Sequence, residues 1–196
     1  MNGDPYEVHD DPYCYENTDV LINRAGLHDQ ALLDDFELEM LNLRAQEPLP
    51  DGDFAPSHYR AVHHHLFQDV YDWAGEYRTV RTGKGGNWFC YPENIEQQIN
   101  GLFSQLAGAA FLPGATRDEF IDAVTYFLSE LNVIHCFREG NGRAQLTFVD
   151  MLASRAGHPL NLELIKRETY LPAIIESFSG ELARLRAEIA KLYGDA

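Results

Sequence analysis

The sequence predicts a mainly α-helical fold carrying one β-hairpin. Three observations predict it. Apolar residues recur three and four positions apart over most of the chain; one stretch breaks that rhythm with aromatic and β-branched residues; and a glycine-rich tip lies inside that stretch. At 196 residues the chain is long enough for one domain with its own core. With 45% apolar residues, among them 11 Phe, 10 Tyr and 2 Trp, that core needs no staples.

Residues 1–27, Asp-, Pro- and Tyr-rich over their first part, read as an N-terminal arm, and 28–196 as a single domain. The first helix is expected from His28 to Gln46, where Leu32, Leu33, Phe36, Met40 and Leu43 form an apolar stripe. Pro48 and Pro50 end it, and its carboxylates Asp34, Asp35, Glu37 and Glu39 are expected on a solvated face. Pro56 is placed to start the second helix, with the stripe Tyr59, Val62, His63, Leu66, Phe67, Val70 and Tyr71. A hairpin follows over 77–91. The strands Tyr77–Val80 and Trp88–Tyr91 flank a tip that contains Gly83-Lys84-Gly85-Gly86. Glu93 to Phe111 reads as helical again. Thr116 and Glu119 form a capping box before the stripe Phe120, Ile121, Val124, Phe127, Leu128 and Leu131. Ala144 to Ala156 is a helix closed by Gly157 and Pro159, and a last helix is expected over 167–193.

Charge and cysteines exclude several classes. Fifteen Lys and Arg stand against 31 Asp and Glu, a net charge of −16. Such a surface repels phosphate backbones and anionic lipid, so the expectation is no nucleic acid and no membrane as partner. Any phosphate must be held by a local site. Cys14, Cys90 and Cys136 contain no Cys-x-x-Cys pair, which argues against a zinc knuckle and a disulfide framework. No apolar leader precedes Asp11 and no apolar run is of bilayer length, so a cytoplasmic location is expected.

The chemistry concentrates in His135-Cys-Phe-Arg-Glu-Gly-Asn-Gly-Arg143. Gly140-Asn141-Gly142 directly precedes a helix, so backbone N–H groups can form an anion nest at the positive end of the helix dipole. Arg143 in the first turn can fork onto further phosphate oxygens. Glu139 sets one carboxylate beside that nest, where a phosphate-bound Mg²⁺ is held. His135 supplies an imidazole, a group whose unperturbed pKa lies near neutrality, suited to removing a proton from an attacking hydroxyl. Phe137 reads as a structural anchor for the loop. A glycine turn beside a packed histidine would explain one of these parts, but not all four in order. Together they describe a phosphoryl- or nucleotidyl-transfer site.

This segment resembles the Fic family signature His-x-Phe-x-(Asp/Glu)-Gly-Asn-Gly-Arg at every specified position. Residues 59–160 resemble the Fic core, a helical bundle with a hairpin flap before the motif. The resemblance implies AMP transfer from Mg-ATP to a Ser, Thr or Tyr hydroxyl of a target protein, in a bacterial toxin or effector. It implies that His135 is the catalytic base, that Glu139 holds Mg²⁺, and that Gly140, Asn141, Gly142 and Arg143 bind the ATP phosphates. Thr82, Gly83, Lys84, Gly85 and Gly86 would form the target-contacting flap, pairing with the target as an added strand. Gly142 stands where a kinase-like branch of the family carries lysine. The sequence departs from many members at Leu146, where a second arginine is common.

The family's inhibitory pattern, (Ser/Thr)-x-x-x-Glu-(Gly/Asn), is approached only by Ser177 to Glu181, and Leu182 breaks it. The resemblance is therefore to the class restrained by a separate small helical antitoxin. Two other functions fit the same residues: transfer of another nucleotide or phosphoryl group, and a non-catalytic module that docks a partner strand on the flap. His63-His64-His65 cannot chelate one ion from a helix, since consecutive side chains point about 100° apart, and His63 is expected as a core residue. Gly83-Lys84 lacks the Ser or Thr and the following helix of a P-loop.

Overall fold

The computed structural model describes residues 11–108 and 114–193, which divide into two compact units. The first consists of Met1–Ile95 with Cys136–Ala144, the second of Glu96–His135 with Gln145–Ala196. Among the described residues the architecture is helical with a single two-stranded antiparallel hairpin.

In the first unit, helix α1 (Gln30–Arg44) starts where the Asp29 carboxylate accepts from the amides of Ala31 and Leu32. The expected stripe is met in part. Leu33 is buried, but Leu32 and Leu43 are 56% and 51% exposed. The inward side carries Leu33 with the half-buried Phe36 and Met40 of that stripe, and beside them Glu37 and Arg44. Arg44 grips Asp69 through two hydrogen bonds of 2.6 and 2.8 Å, and its carbonyl oxygen lies 3.1 Å from His65 Nε2. Helix α1 packs against α2 (Pro56–Phe67). Helix α2 opens on Pro56 and buries Tyr59, Val62, His63, Leu66 and Phe67.

Strands β1 (Gly83–Lys84) and β2 (Asn87–Trp88) pair Gly83 with Trp88 and Lys84 with Asn87, and the Phe89 amide extends the ladder by donating to the Thr82 carbonyl. The hairpin is shorter than expected, because Tyr77–Val80 is not a strand. The fully buried Arg78 takes its place in the ladder: its guanidinium donates to the carbonyls of Val80 (2.7 Å) and Cys90 (2.6 Å). Of the N-terminal arm, residues 1–10 lie outside the described residues. Tyr13, Cys14 and Tyr15 pair with Val20, Leu21 and Ile22 in a short antiparallel bridge, and the Arg24 amide donates to the Val70 carbonyl.

In the second unit, α3 (Ile95–Gly108), preceded by a 3₁₀ turn at Pro92–Asn94, buries Ile99, Leu102, Phe103 and Leu106. The remainder of the predicted helix to Phe111 lies outside the described residues. Helix α4 (Arg117–Ile134) carries the predicted capping box, Thr116 and Glu119 satisfying each other's backbone N–H. Its stripe is fully buried, and Phe127 meets Phe103 edge-on at 5.3 Å. Helix α5 (Asn141–Ala156) begins three residues before the expected Ala144 and is followed by Gly157 in the left-handed region.

The predicted helix over 167–193 is two helices, α6 (Arg167–Glu176) and α7 (Ala183–Lys191). Gly180, at φ 89°, turns the chain between them. The break lets α7 fold back on α6 and α4, where Arg186 pairs with Asp118 and Asp122.

Candidate active site

The loop Cys136–Ala144 of the first unit is fixed from below by aromatic packing. Phe137 is fully buried, stacked on His63 at 3.8 Å, with Tyr59 at 5.3 Å. His63 holds the loop in a second way. Its Nδ1 accepts from the Gly75 amide at 2.9 Å, so the ring proton sits on Nε2, which donates to the Glu139 carbonyl at 3.0 Å. Burial pushes the His63 pKa from 6.5 down to about 3. The unfolded chain takes up this proton near pH 6.5 and the folded chain does not, so stability is full above that pH and falls as pH drops towards 3. The expected slope is up to about 1.4 kcal/mol per pH unit from this one group. Urea unfolding of wild type between pH 7 and 4.5 should therefore be steeper in pH than that of His63→Gln by up to one proton.

Arg138, 6% exposed in its side chain, forms an ion pair of 2.6 Å with Asp11, itself 9% exposed. The arm is thereby tied to the middle of the motif. Cys136 is buried and its thiol is pushed far up by burial, so it is inert, and its carbonyl accepts from the Arg78 amide at 2.9 Å. Arg78 thus joins the motif loop to both arms of the hairpin.

Gly140 precedes α5 with φ 78°, and a Cβ there would lie 2.4 Å from the Phe67 ring, so only glycine fits. Ala144 N–H donates to the Gly140 carbonyl, the first bond of the helical ladder. The amides of Asn141, Gly142 and Arg143 stand before that ladder and have no intrahelical acceptor. A Cβ at Gly142 would meet nothing within 4 Å. Bare amides, open space and the helix dipole make this loop end a ready anion site.

The side chains around it are placed less simply than the spacing suggested. Asn141 is buried, and its amide is taken up by the loop itself: Oδ1 accepts from the Phe137 amide at 3.0 Å and Nδ2 donates to the Phe137 carbonyl at 2.8 Å. Glu139 Oε1 accepts from the Gly140 amide at 2.8 Å and lies 3.3 Å from Arg143 Nη2. Arg143 rests over the Phe67 ring at 4.7 Å and forms an ion pair with Glu37. Glu37 is a correction to the sequence reading. Far from the solvated face expected, it is 13% exposed in its side chain and accepts from the Tyr71 hydroxyl at 2.8 Å. Burial lifts its carboxyl above the usual range, against the pull of Arg143. No sequence signal marked Glu37, Tyr71 or Arg78 for this site.

His135, one residue ahead of the loop, caps α4 in the second unit. Its backbone is left-handed, φ 47° and ψ 59°, and its side chain is largely buried. A non-glycine residue in this region carries about 1–2 kcal/mol of strain. Of the five flap residues, Lys84, Gly85 and Gly86 are exposed, whereas Thr82 and Gly83 are buried. Gly83 is closed off because a Cβ there would lie 2.9 Å from the Asn87 carbonyl oxygen and 3.1 Å from the Trp88 ring. Leu146, further along α5, is partly exposed and brings no charge.

A profile described as the Fic/DOC family matches residues 53–153. A curated relative from Sinorhizobium fredii, named "Probable protein adenylyltransferase y4lH", is 51% identical over 95% of this chain and 98% of its own length. The chain belongs to the Fic/DOC family. A second relative, "Probable protein adenylyltransferase Fic" of Salmonella typhimurium, is 36% identical over 95% of this chain and 94% of its own. Among solved structures, the N-terminal Fic domain of a VirB-translocated Bep effector from Bartonella quintana, determined with bound ADP, superposes with a TM-score of 0.83 at 26% identity, covering 92% of this chain and 93% of that one. The Fic/DOC match spans both α2, which carries Phe67 beneath Gly140, and the motif loop. No helix among the described residues of this Fic/DOC chain is long and apolar enough to cross a membrane.

Proposed function

We propose that this chain is a protein adenylyltransferase that moves AMP from ATP to a Ser, Thr or Tyr hydroxyl of a target protein. The observation that carries the reading is the loop end at Gly140–Arg143: a glycine forced by Phe67, bare amides on a helix start, and open space at Gly142. Relatives named protein adenylyltransferases at up to 51% identity support it.

His135 takes the proton of the target hydroxyl, whose oxygen then attacks the α-phosphorus. The bond from that phosphorus to the bridging oxygen of the β-phosphate breaks, and pyrophosphate leaves. The amides of the first turn of α5 hold the α-phosphate, and Arg143 receives the outer phosphates, alone because Leu146 brings no second guanidinium. The donor set also bears on Mg²⁺. Among the described residues no group of three or more metal-ligating side chains occurs. Glu139, partly exposed at the loop mouth, is the one carboxylate suited to an ion bound mainly through phosphate oxygens. It would hold Mg²⁺ there, and the ion when bound neutralises phosphate charge. Restraint is assigned to a separate small helical antitoxin. The one near match to an inhibitory helix, Ser177 to Glu181, is a single 3₁₀ turn broken by Gly180.

The test is intact-protein mass spectrometry of the purified chain with Mg-ATP and a fractionated bacterial lysate. An AMP-sized gain on a lysate protein or on the chain itself is the expected result. A phosphate-sized gain, or no gain on any protein, would overturn the reading.

A further inference from the structure

The stretch from Tyr77 to Tyr91 holds Arg78, Arg81 and Lys84 and no Asp or Glu, in a chain of net charge −16. Arg78 is buried, which leaves Arg81 and Lys84 as the cations of the hairpin surface. Arg81 is held between two rings, 3.9 Å from the centroid of Tyr91 and 4.9 Å from that of Trp88. Both rings are large apolar groups left about half exposed, at 48% and 46%. The Arg81 Nε is buried and has no hydrogen-bond partner among the described residues. Trp88 also lies across Gly83, so one face of the hairpin is a continuous strip of ring and guanidinium.

A guanidinium clamped between rings has already lost its rotamer freedom and keeps a rigid fork of donors, the geometry that suits a carboxylate. Half-exposed Trp and Tyr beside it are the side chains that anchor protein interfaces. Strands β1 and β2 form a two-stranded sheet, a shape beside which an extended segment can lie. The rest of the surface repels an acidic segment, so for such a segment the hairpin is the favoured place to land. From this arrangement we infer that the hairpin selects an extended target segment that carries Asp or Glu beside its hydroxyl residue. Arg81 and Lys84 read the carboxylates, and Trp88 and Tyr91 cover the segment's apolar atoms. The inference rests on the target-side role proposed for the flap.

The experiment uses three 12-residue fluorescent peptides with one central Thr, flanked by Asp and Glu, by Gln, or by Lys. Binding is followed by anisotropy without nucleotide at about 0.15 M salt, where charges beyond ~8 Å are screened. Wild type should bind the acidic peptide several-fold more tightly than the Gln peptide. Lys84→Glu and Arg81→Ala should each weaken the acidic peptide by about 5- to 10-fold and leave the Lys peptide no weaker. Arg81→Lys should recover only part of the loss, because the fork is gone. Circular dichroism and thermal melting of each variant guard against misfolding.

Equal binding of acidic and Gln peptides, or binding of neither up to about 1 mM, which corresponds to only about −4 kcal/mol, overturns the inference. So does a single-stranded oligonucleotide of matched charge that binds equally well with the same dependence on Arg81 and Lys84. Adding Mg-ATP separates the two readings. Acidic-peptide binding without AMP transfer leaves the docking inference standing and sinks the transferase. AMP transfer to all peptides alike does the reverse.

Discussion

Replacing His135 by alanine or asparagine is expected to lower AMP transfer by about 10²- to 10⁴-fold, the usual contribution of a general base. The two substitutions separate chemistry from folding. Position 135 is left-handed, at φ 47°, and alanine there keeps the strain while asparagine tolerates it better than most residues. Asparagine should therefore match the wild-type melting temperature more closely than alanine, yet transfer AMP no faster. Equilibrium binding of an unreactive ATP analogue should change little in either variant. A variant that binds the analogue normally and still transfers AMP at the wild-type rate would remove His135 from the role of base.

Gly140→Ala is expected to have the largest effect on stability, and Gly142→Ala, two residues on, almost none. At 140 a Cβ meets Phe67 at 2.4 Å on a backbone with φ 78°. Overpacking adds about 1–3 kcal/mol of destabilisation and the left-handed backbone about 1–2 more. At 142 the methyl enters open space at the start of a helix, where Gly→Ala stabilises by roughly 0.4–1 kcal/mol through the unfolded chain. On the proposed function the same methyl would enter the room left for the phosphates, so Gly142→Ala should hold its urea midpoint while losing ATP affinity. The pair of melts, set beside nucleotide titrations, distinguishes a glycine that the fold requires from one that the ligand requires.

Much of this molecule is local, and the local part was legible. The capping box at Thr116–Glu119, the stripe of α4 and the proline that opens α2 each act within one or two turns, and the structure has all three. The family was legible for the same reason: the residues of its nine-position motif follow one another along the chain, within the stretch that the Fic/DOC match covers. What was not legible depends on distant partners. Glu37 is 106 residues from Arg143. Leu33, Phe36 and Met40 of the expected stripe do turn inward, but Leu32 and Leu43 stay exposed, and the pairing of Arg44 with Asp69 and of Glu37 with Arg143 had no local signal. Arg78 lies in a run that reads as strand, but its side chain takes the carbonyls a strand would have paired. The resemblance implied that Asn141 binds phosphate; that both ends of its side-chain amide close the loop on Phe137 had no signal in the sequence. The C-terminal break at Gly180 was missed because one glycine among helix formers does not by itself end a helix.

Arg78 has one more consequence. It ties the two arms of the flap and the carbonyl of Cys136 into one rigid joint. If the flap holds the target and the motif loop the nucleotide, as proposed, Arg78 is the contact through which one would bear on the other. Thermodynamic reciprocity then requires that if nucleotide tightens target binding by some factor, target tightens nucleotide binding by that same factor. On that reading a single buried arginine carries whatever the two sites have to say to each other.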